Sequence, residues 1–153
     1  MLNSVVATTA LYLHFLAVIV LAGSQTHNLV LVWGYWRGRF RIPLEKRYVP
    51  IAFWSYVAVV VFGMIVYPLF RVEVRAAYFD PSLPWATGLF EIKEHVVGVG
   101  LGLFAAYVGM SRTLNPKADR RGLVLYTVLA VLLYLISWYA LTAGFYLTTL
   151  RSV

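Results

Sequence analysis

Four long apolar stretches alternate with short polar segments along the chain. The stretches cover residues 5–33, 48–70, 89–110 and 123–150. Each is near or above the roughly 20 residues that an α-helix needs to cross a bilayer. Because backbone that faces lipid must satisfy its hydrogen bonds internally, the stretches are expected to be helices. The pattern predicts one all-α domain over residues 1–153, an integral membrane four-helix bundle with up-down-up-down topology.

Two polar segments modify this picture. Residues 23–28 (GSQTHN) interrupt the first stretch, and we expect either a break in the helix or a contact for a small molecule there. Residues 71–88 are amphipathic, and a short interfacial helix is expected over residues 71–79. Pro81 and Pro84 argue against one continuous helix through this segment.

The basic residues predict an orientation. Nine of the thirteen Lys and Arg residues lie between the first and second stretches or between the third and fourth. They are Arg37, Arg39, Arg41, Lys46, Arg47, Arg112, Lys117, Arg120 and Arg121. Since cytoplasmic loops of membrane proteins carry an excess of Lys and Arg, these loops are expected in the cytoplasm and both termini outside. The expected location is the cytoplasmic membrane of a bacterium or an archaeon.

The composition supports a bilayer environment. Of the 153 residues, 61% are hydrophobic and 12% are charged, whereas about 25% of the residues of soluble domains are charged. The net charge of +7 would suit nucleic acid in a soluble protein, but here we expect phospholipid headgroups as the anionic neighbours and no nucleic-acid partner. The sequence has no cysteine, which excludes disulfides and thiolate metal sites.

Three histidines lie in the apolar stretches. With stretch midpoints near residues 19 and 99, the helical rise places His14 roughly 7 Å and His95 roughly 6 Å outward from the bilayer midplane. Two imidazoles at one depth on different helices suit axial haem ligation. We expect His14 and His95 to bind the iron of a b-type haem, while a structural role as hydrogen-bonding bridges between helices stays open. His27 lies beyond the midplane and is expected to be structural.

A cluster of charged residues opens the third stretch, in the segment EIKEH. Glu91, Glu94 and His95 fall on one stripe of a helix. Gly98 and Gly102 continue this stripe with a GxxxG spacing, which permits close approach of a second helix. The stripe is therefore expected to face inward, toward a neighbouring helix.

Several roles are open for this cluster. Glu91 and Glu94 are expected to orient the ligating imidazoles, and Arg71, Arg75 and Lys93 to contact the haem propionates. In a structural alternative, the two acids form ion pairs with the two arginines, because a buried carboxylate needs a partner. A divalent metal bound by the acids and the histidine, or a proton path through them, are further alternatives.

Leu13-His14 in the first stretch and Lys93 at the opening of the third resemble the CopD and HemJ-like small four-helix bacterial membrane proteins, some of which bind haem b. The resemblance implies haem ligation by His14 and a place for Lys93 near the haem or its propionates. Ala22-Gly23 stands where a Trp-x-Gly-Gly often follows the histidine in that family. No porphyrinogen oxidation is inferred from two short matching positions.

These patterns favour a small membrane b-type haem protein for electron transfer, with haem in the outer half of the bundle and quinone or a larger membrane complex as partner. The alternative is a cofactor-free accessory subunit of a respiratory or photosynthetic complex, because small size and 16% aromatic residues suit both. The sequence has no hydrolase or transferase motif, so enzymatic activity stays undecided.

Overall fold

The chain is helical throughout the part that the structure describes. This computed structural model describes residues 2–151, and the side chains of residues 5–151. Its elements are α1 (Leu2–Trp36), α2 (Ile42–Phe70), a π-helical segment (Arg71–Phe79), α3 (Asp80–Ser82), α4 (Pro84–Thr113) and α5 (Arg120–Leu150). Each predicted stretch lies inside one of the four long helices α1, α2, α4 and α5, which confirms the prediction of an all-α fold with four long apolar helices.

Local sequence explains where the long helices begin and end. After α1 the chain turns at Gly38, whose φ of 70° costs glycine little. Pro43 and Pro84 lie in the first turns of α2 and α4, where a missing N–H removes no helical hydrogen bond. Asp119 caps α5, because its carboxylate accepts a hydrogen bond of 2.8 Å from the backbone N–H of Gly122.

The π-helical segment continues α2 without a break. Its hydrogen bonds reach back five residues, as in the bond from the N–H of Asp80 to the carbonyl of Arg75. Pro68, which has no N–H to donate, lies just before it. The chain leaves helical geometry at Leu83, which precedes a proline. The predicted helix over residues 71–79 is therefore present, but as an extension of α2.

The polar run at residues 23–28 does not interrupt α1. Ser24, Thr26 and His27 bond to backbone carbonyls of the preceding turn, at 3.0, 2.7 and 2.9 Å. Such local bonds satisfy polar side chains within the helix. The alternative of a helix break is wrong, and the run instead places Asn28 in the bundle interior.

The four long helices form a ring in the order α1, α2, α4, α5. α1 and α4 each contact α2 and α5, and they lie diagonally opposite one another. A hydrogen bond of 2.9 Å from the indole N–H of Trp36 to Thr127 joins the end of α1 to the start of α5. The two basic loops thus meet at one end of the bundle, the basic end (residues 37–47 and 112–121). The π-helical segment, the start of α4 and the end of α5 pack together at the opposite end, the π end.

The bundle buries a few polar side chains in its hydrophobic core and exposes many large apolar ones. Gln25, Asn28 and Glu45 are at most 2% exposed, whereas Phe15 and Met64 are 60% and 68% exposed. By length and composition, four helices of the described chain are able to cross a membrane. A large exposed apolar surface marks contact with lipid or with another protein. The helices indicate a multi-pass membrane protein in contact with a lipid bilayer.

Candidate functional site

An open groove of about 330 Å³ lies between α2 and α4 near the π end, and we call it the His95 groove. It is lined by Gly63, Met64, Tyr67, Arg75, Phe90, Glu91, Glu94 and His95. Four of the predicted site residues therefore share one surface. The stripe of Glu91, Glu94 and His95 therefore lies beside a neighbouring helix, α2, as expected. The three side chains are exposed in an open groove, however, so the expectation that the stripe faces inward is wrong.

The acids of the groove are held by cations. Arg75 donates to the carboxylate of Glu91 at 2.6 Å, and its Nε lies 3.7 Å from Asp80. Lys93 lies 2.9 Å from Glu94 and 4.7 Å from the ring centroid of Phe90. The structural alternative of ion pairs therefore holds for Arg75, which ties the π-helical segment to α4.

Arg71 differs from Arg75. Its side chain is exposed, and the ion pairs found among the described side chains do not include it. The expected pairing of the two acids with both arginines is therefore wrong for Arg71.

Both predicted ligands hold one ring nitrogen on a backbone carbonyl. Nδ1 of His14 lies 2.9 Å from the carbonyl oxygen of Val59 on α2, and Nδ1 of His95 lies 2.7 Å from the carbonyl oxygen of Glu91. A carbonyl only accepts, so each Nδ1 carries the hydrogen and each neutral ring keeps a lone pair on Nε2. The imidazoles are oriented by backbone, and the expectation that the Glu91 and Glu94 carboxylates orient them is wrong.

Gly63 on α2 lies close to His14 and also lines the His95 groove. A Cβ at Gly63 would lie 3.4 Å from Cε1 of His14, and the same glycine lines the groove that contains His95. The structure thus brings residues of α1 and α4, which are diagonal helices, to one turn of α2.

Close helix contact occurs at a different glycine from the two that were predicted. Gly98 and Gly102 are exposed, and a Cβ at either would meet nothing within 4 Å. Gly100 is buried, and a Cβ there would overlap the hydroxyl of Tyr56 on α2. That hydroxyl donates a hydrogen bond of 2.8 Å to the carbonyl of Val97. The GxxxG prediction is wrong because the buried face of α4 runs through the glycine between the pair.

His27 lies apart from the His95 groove. Its imidazole is exposed and stacks on Tyr48, with ring centroids 5.2 Å apart and planes 4° from parallel. Its Nδ1 also lies on a backbone carbonyl, that of Gly23. His27 therefore has the same local geometry as His95 at a different level of the bundle.

A second polar site, near the basic end, was missed from the sequence. Glu45, in the first turn of α2, is 2% exposed and accepts a hydrogen bond from the hydroxyl of Tyr126. The ring of Tyr126 stacks on Tyr107, with centroids 4.3 Å apart. The hydroxyl of Tyr107 accepts a hydrogen bond of 2.6 Å from the amide of Asn28. These four residues, the Glu45 chain, connect all four long helices.

Helical spacing in the sequence would have indicated that Glu45 is buried. The residue lies four, seven and eleven positions before Val49, Ala52 and Tyr56, which are all buried. That spacing marks one face of a helix. Since the second apolar stretch begins at residue 48, Glu45 falls among the basic residues that precede it. The apolar pattern by itself therefore does not place Glu45 on the buried face of α2.

Burial makes Glu45 a candidate functional group. Removing an ionised carboxylate from water costs several kcal/mol, and the helix dipole at an N-terminus returns only about 0.3–1 kcal/mol. The ion pairs among the described side chains do not include Glu45. An ionisable side chain inside a membrane bundle is a functional-site hypothesis by default.

The described side chains contain no group of three or more His, Asp or Glu residues placed to hold a metal ion. Comparison with protein families, curated proteins and solved structures found no match. The assignment of function therefore depends on the geometry of this chain.

Proposed function

We propose that the protein is a small multi-pass b-type haem protein for electron transfer, with His14 and His95 as the iron ligands. One observation carries this proposal. Both imidazoles are held through Nδ1, which leaves the lone pair of each Nε2 free to bind iron. His14 lies close to Gly63 on α2, and the same glycine lines the groove that contains His95. Ligating histidines commonly hold their second nitrogen on a backbone carbonyl or a carboxylate.

The lining of the His95 groove suits a flat apolar ligand that carries acidic groups. Met64, Tyr67 and Phe90 supply apolar and aromatic surface. Arg75 lines the groove, and together with Lys93 and Arg71 it would hold the propionates once the pairs of Arg75 with Glu91 and of Lys93 with Glu94 open. A bound haem would supply one-electron transfer at this position. The resemblance of Leu13-His14 and Lys93 to the CopD and HemJ-like proteins carries the same expectation.

The charge distribution supports an orientation. The nine basic residues of the two loops gather at the basic end, where Arg37, Lys117 and Arg120 lie over the rings of Trp33, Phe40 and Trp36. Aromatic and basic side chains mark the membrane interface, and Lys and Arg mark its cytoplasmic side. We infer that the basic end faces the cytoplasm of a bacterial or archaeal cell and that the His95 groove lies in the outer half of the bilayer.

The test is a reduced-minus-oxidised visible spectrum of the protein purified from membranes of cells supplied with a haem precursor. A b-type spectrum that is lost in both His14→Ala and His95→Ala would support the proposal. His27→Ala is the matched control, because His27 has the same bond to a carbonyl but lies outside the groove. It should keep the spectrum.

Two results would overturn the haem proposal. One is a colourless wild-type protein. The other is a spectrum that persists in both groove variants, which would place the haem elsewhere. A colourless protein that co-purifies with a membrane complex would favour the cofactor-free accessory subunit.

A further inference from the structure

A small cavity lies beneath the loop between α4 and α5, at the basic end. Its volume is about 10 Å³, which is close to the space that one water molecule needs. Tyr35, Ile42, Glu45, Ser111, Leu114, Pro116 and Tyr126 line it. It lies far along the bundle from the His95 groove and shares no lining residue with it.

The hydroxyl of Tyr35 points to an occupant of this cavity. Tyr35 is 4% exposed, and its buried hydroxyl has no hydrogen-bond partner in the structure. Buried polar groups are nearly always satisfied, and water commonly satisfies those that protein atoms leave open. Glu45, Ser111 and Tyr126 supply further polar atoms around the same space. A water molecule there would have the two to four partners that a buried water needs.

Two residues that line the cavity, Glu45 and Tyr126, belong to the Glu45 chain. From Tyr126 that chain continues through the stacked ring of Tyr107 to the amide of Asn28. One turn of α1 further on, Gln25 is 1% exposed and its amide nitrogen has no partner in the structure. Tyr35 and Gln25 are ten residues apart on α1, which corresponds to roughly 15 Å along the helix axis. This distance is about half the thickness of a hydrocarbon core, which is near 30 Å.

Among the described side chains, those that line the cavity with Glu45 are uncharged. Its polar neighbours there are Tyr35 on α1, Ser111 on α4 and Tyr126 on α5, and Tyr107 on α4 stacks on Tyr126. The nearest charge on its own helix is that of Lys46, which is exposed and forms no ion pair with it in the described structure. A buried carboxyl group in this setting is favoured in its neutral, protonated form.

We propose that one water molecule occupies the cavity and that Glu45 exchanges a proton with it. The O–H bond of the neutral carboxylic acid breaks, and the proton joins the water and leaves beneath the loop that contains Leu114 and Pro116. The carboxylate takes a proton back by the same route, so the exchange involves no oxidant or reductant. Glu45 then connects the bundle interior to the basic end, independently of whether haem is bound at the other end.

Infrared spectroscopy of the full chain in lipid nanodiscs at neutral pH tests the protonation of Glu45. We expect a carbonyl stretching band of a neutral carboxylic acid that is lost in Glu45→Gln. Glu91→Gln is the matched control, because Glu91 is exposed and pairs with Arg75, and it should keep the band. Absence of such a band from the wild type, or its persistence in Glu45→Gln, would overturn the proposal.

Exchange into D₂O tests the water and the route. The wild-type band should shift as soon as the solvent is changed. In Tyr35→Phe, which removes one partner of the water, the shift should slow by about tenfold, the scale of one lost hydrogen bond. Ser111→Leu, which fills the cavity, should slow it at least as much. If both variants keep the helical circular dichroism of the wild type and both exchange at its rate, no water in this cavity carries the proton.

Discussion

The two ends of the bundle differ in the burial and the partners of their acidic side chains. At the π end, Glu91 and Glu94 are exposed and lie against Arg75 and Lys93. Near the basic end, Glu45 is buried and its bonded partner is the hydroxyl of Tyr126. The end with the dense charge cluster has its charges at the surface, and the end with basic loops has an acid inside.

This contrast shows that a cluster of charged residues and a single acid on a buried helix face carry different information in a membrane sequence. A cluster such as EIKEH attracts notice because several ionisable residues stand together, yet paired and exposed charges contribute little to stability. A lone acid on the buried face of a helix attracts less notice. Burial nevertheless raises the free-energy cost of keeping it charged well above that of an exposed acid. Position on the helix face therefore tells more about Glu45 than the number of charges nearby.

The largest effect is expected from Glu45→Ala. This change leaves the hydroxyl of Tyr126 without its acceptor and opens a void beside the cavity, so we expect a loss of about 2–4 kcal/mol in the free energy of unfolding. Glu91→Ala is the matched change at the π end and should have little effect on stability. Denaturation of both variants in the same detergent, followed by circular dichroism, measures the difference. Equal losses of unfolding free energy in the two variants would contradict the difference in burial between Glu45 and Glu91.

A smaller effect is expected where α4 meets α2. A Cβ in Gly100→Ala would overlap the hydroxyl of Tyr56 and lie 3.0 Å from Ile136, so overpacking should destabilise the bundle by about 1–3 kcal/mol. Gly98→Ala adds a methyl group to open space and should be neutral or slightly stabilising. The two melting temperatures in one detergent measure this. A larger loss from Gly98→Ala would contradict the packing of α4 described above.

The smallest effect is expected from Arg75→Gln. The exposed pair with Glu91 is screened by salt, so its loss should change the melting temperature little and less still at high ionic strength. The change should instead appear locally, as faster amide hydrogen exchange in the π-helical segment, which Arg75 ties to α4. Exchange measured by mass spectrometry at low and high salt tests this. Unchanged exchange in the segment at low salt would show that other contacts hold it.

Part of the candidate site was predictable and part was not. The helical rise predicts comparable depths for His14 and His95, and in the structure Gly63 lies close to His14 and lines the groove that contains His95. The EIKEH stripe lies on one helix face beside α2, as predicted, but it is exposed in an open groove and does not face inward. Their ligation of haem stays a prediction, which the spectrum tests.

The number, extent and helical nature of the long segments followed from the amino-acid pattern, because apolar length and backbone hydrogen bonding act locally along the chain. The side chains that meet inside the bundle did not follow from it. The rotation of each helix is set by packing against its neighbours, so only the folded bundle places Gly100 against Tyr56 and Glu45 against Tyr126. For the same reason, the exposed position of Glu91 and the buried position of Glu45 emerge only when the four helices are assembled.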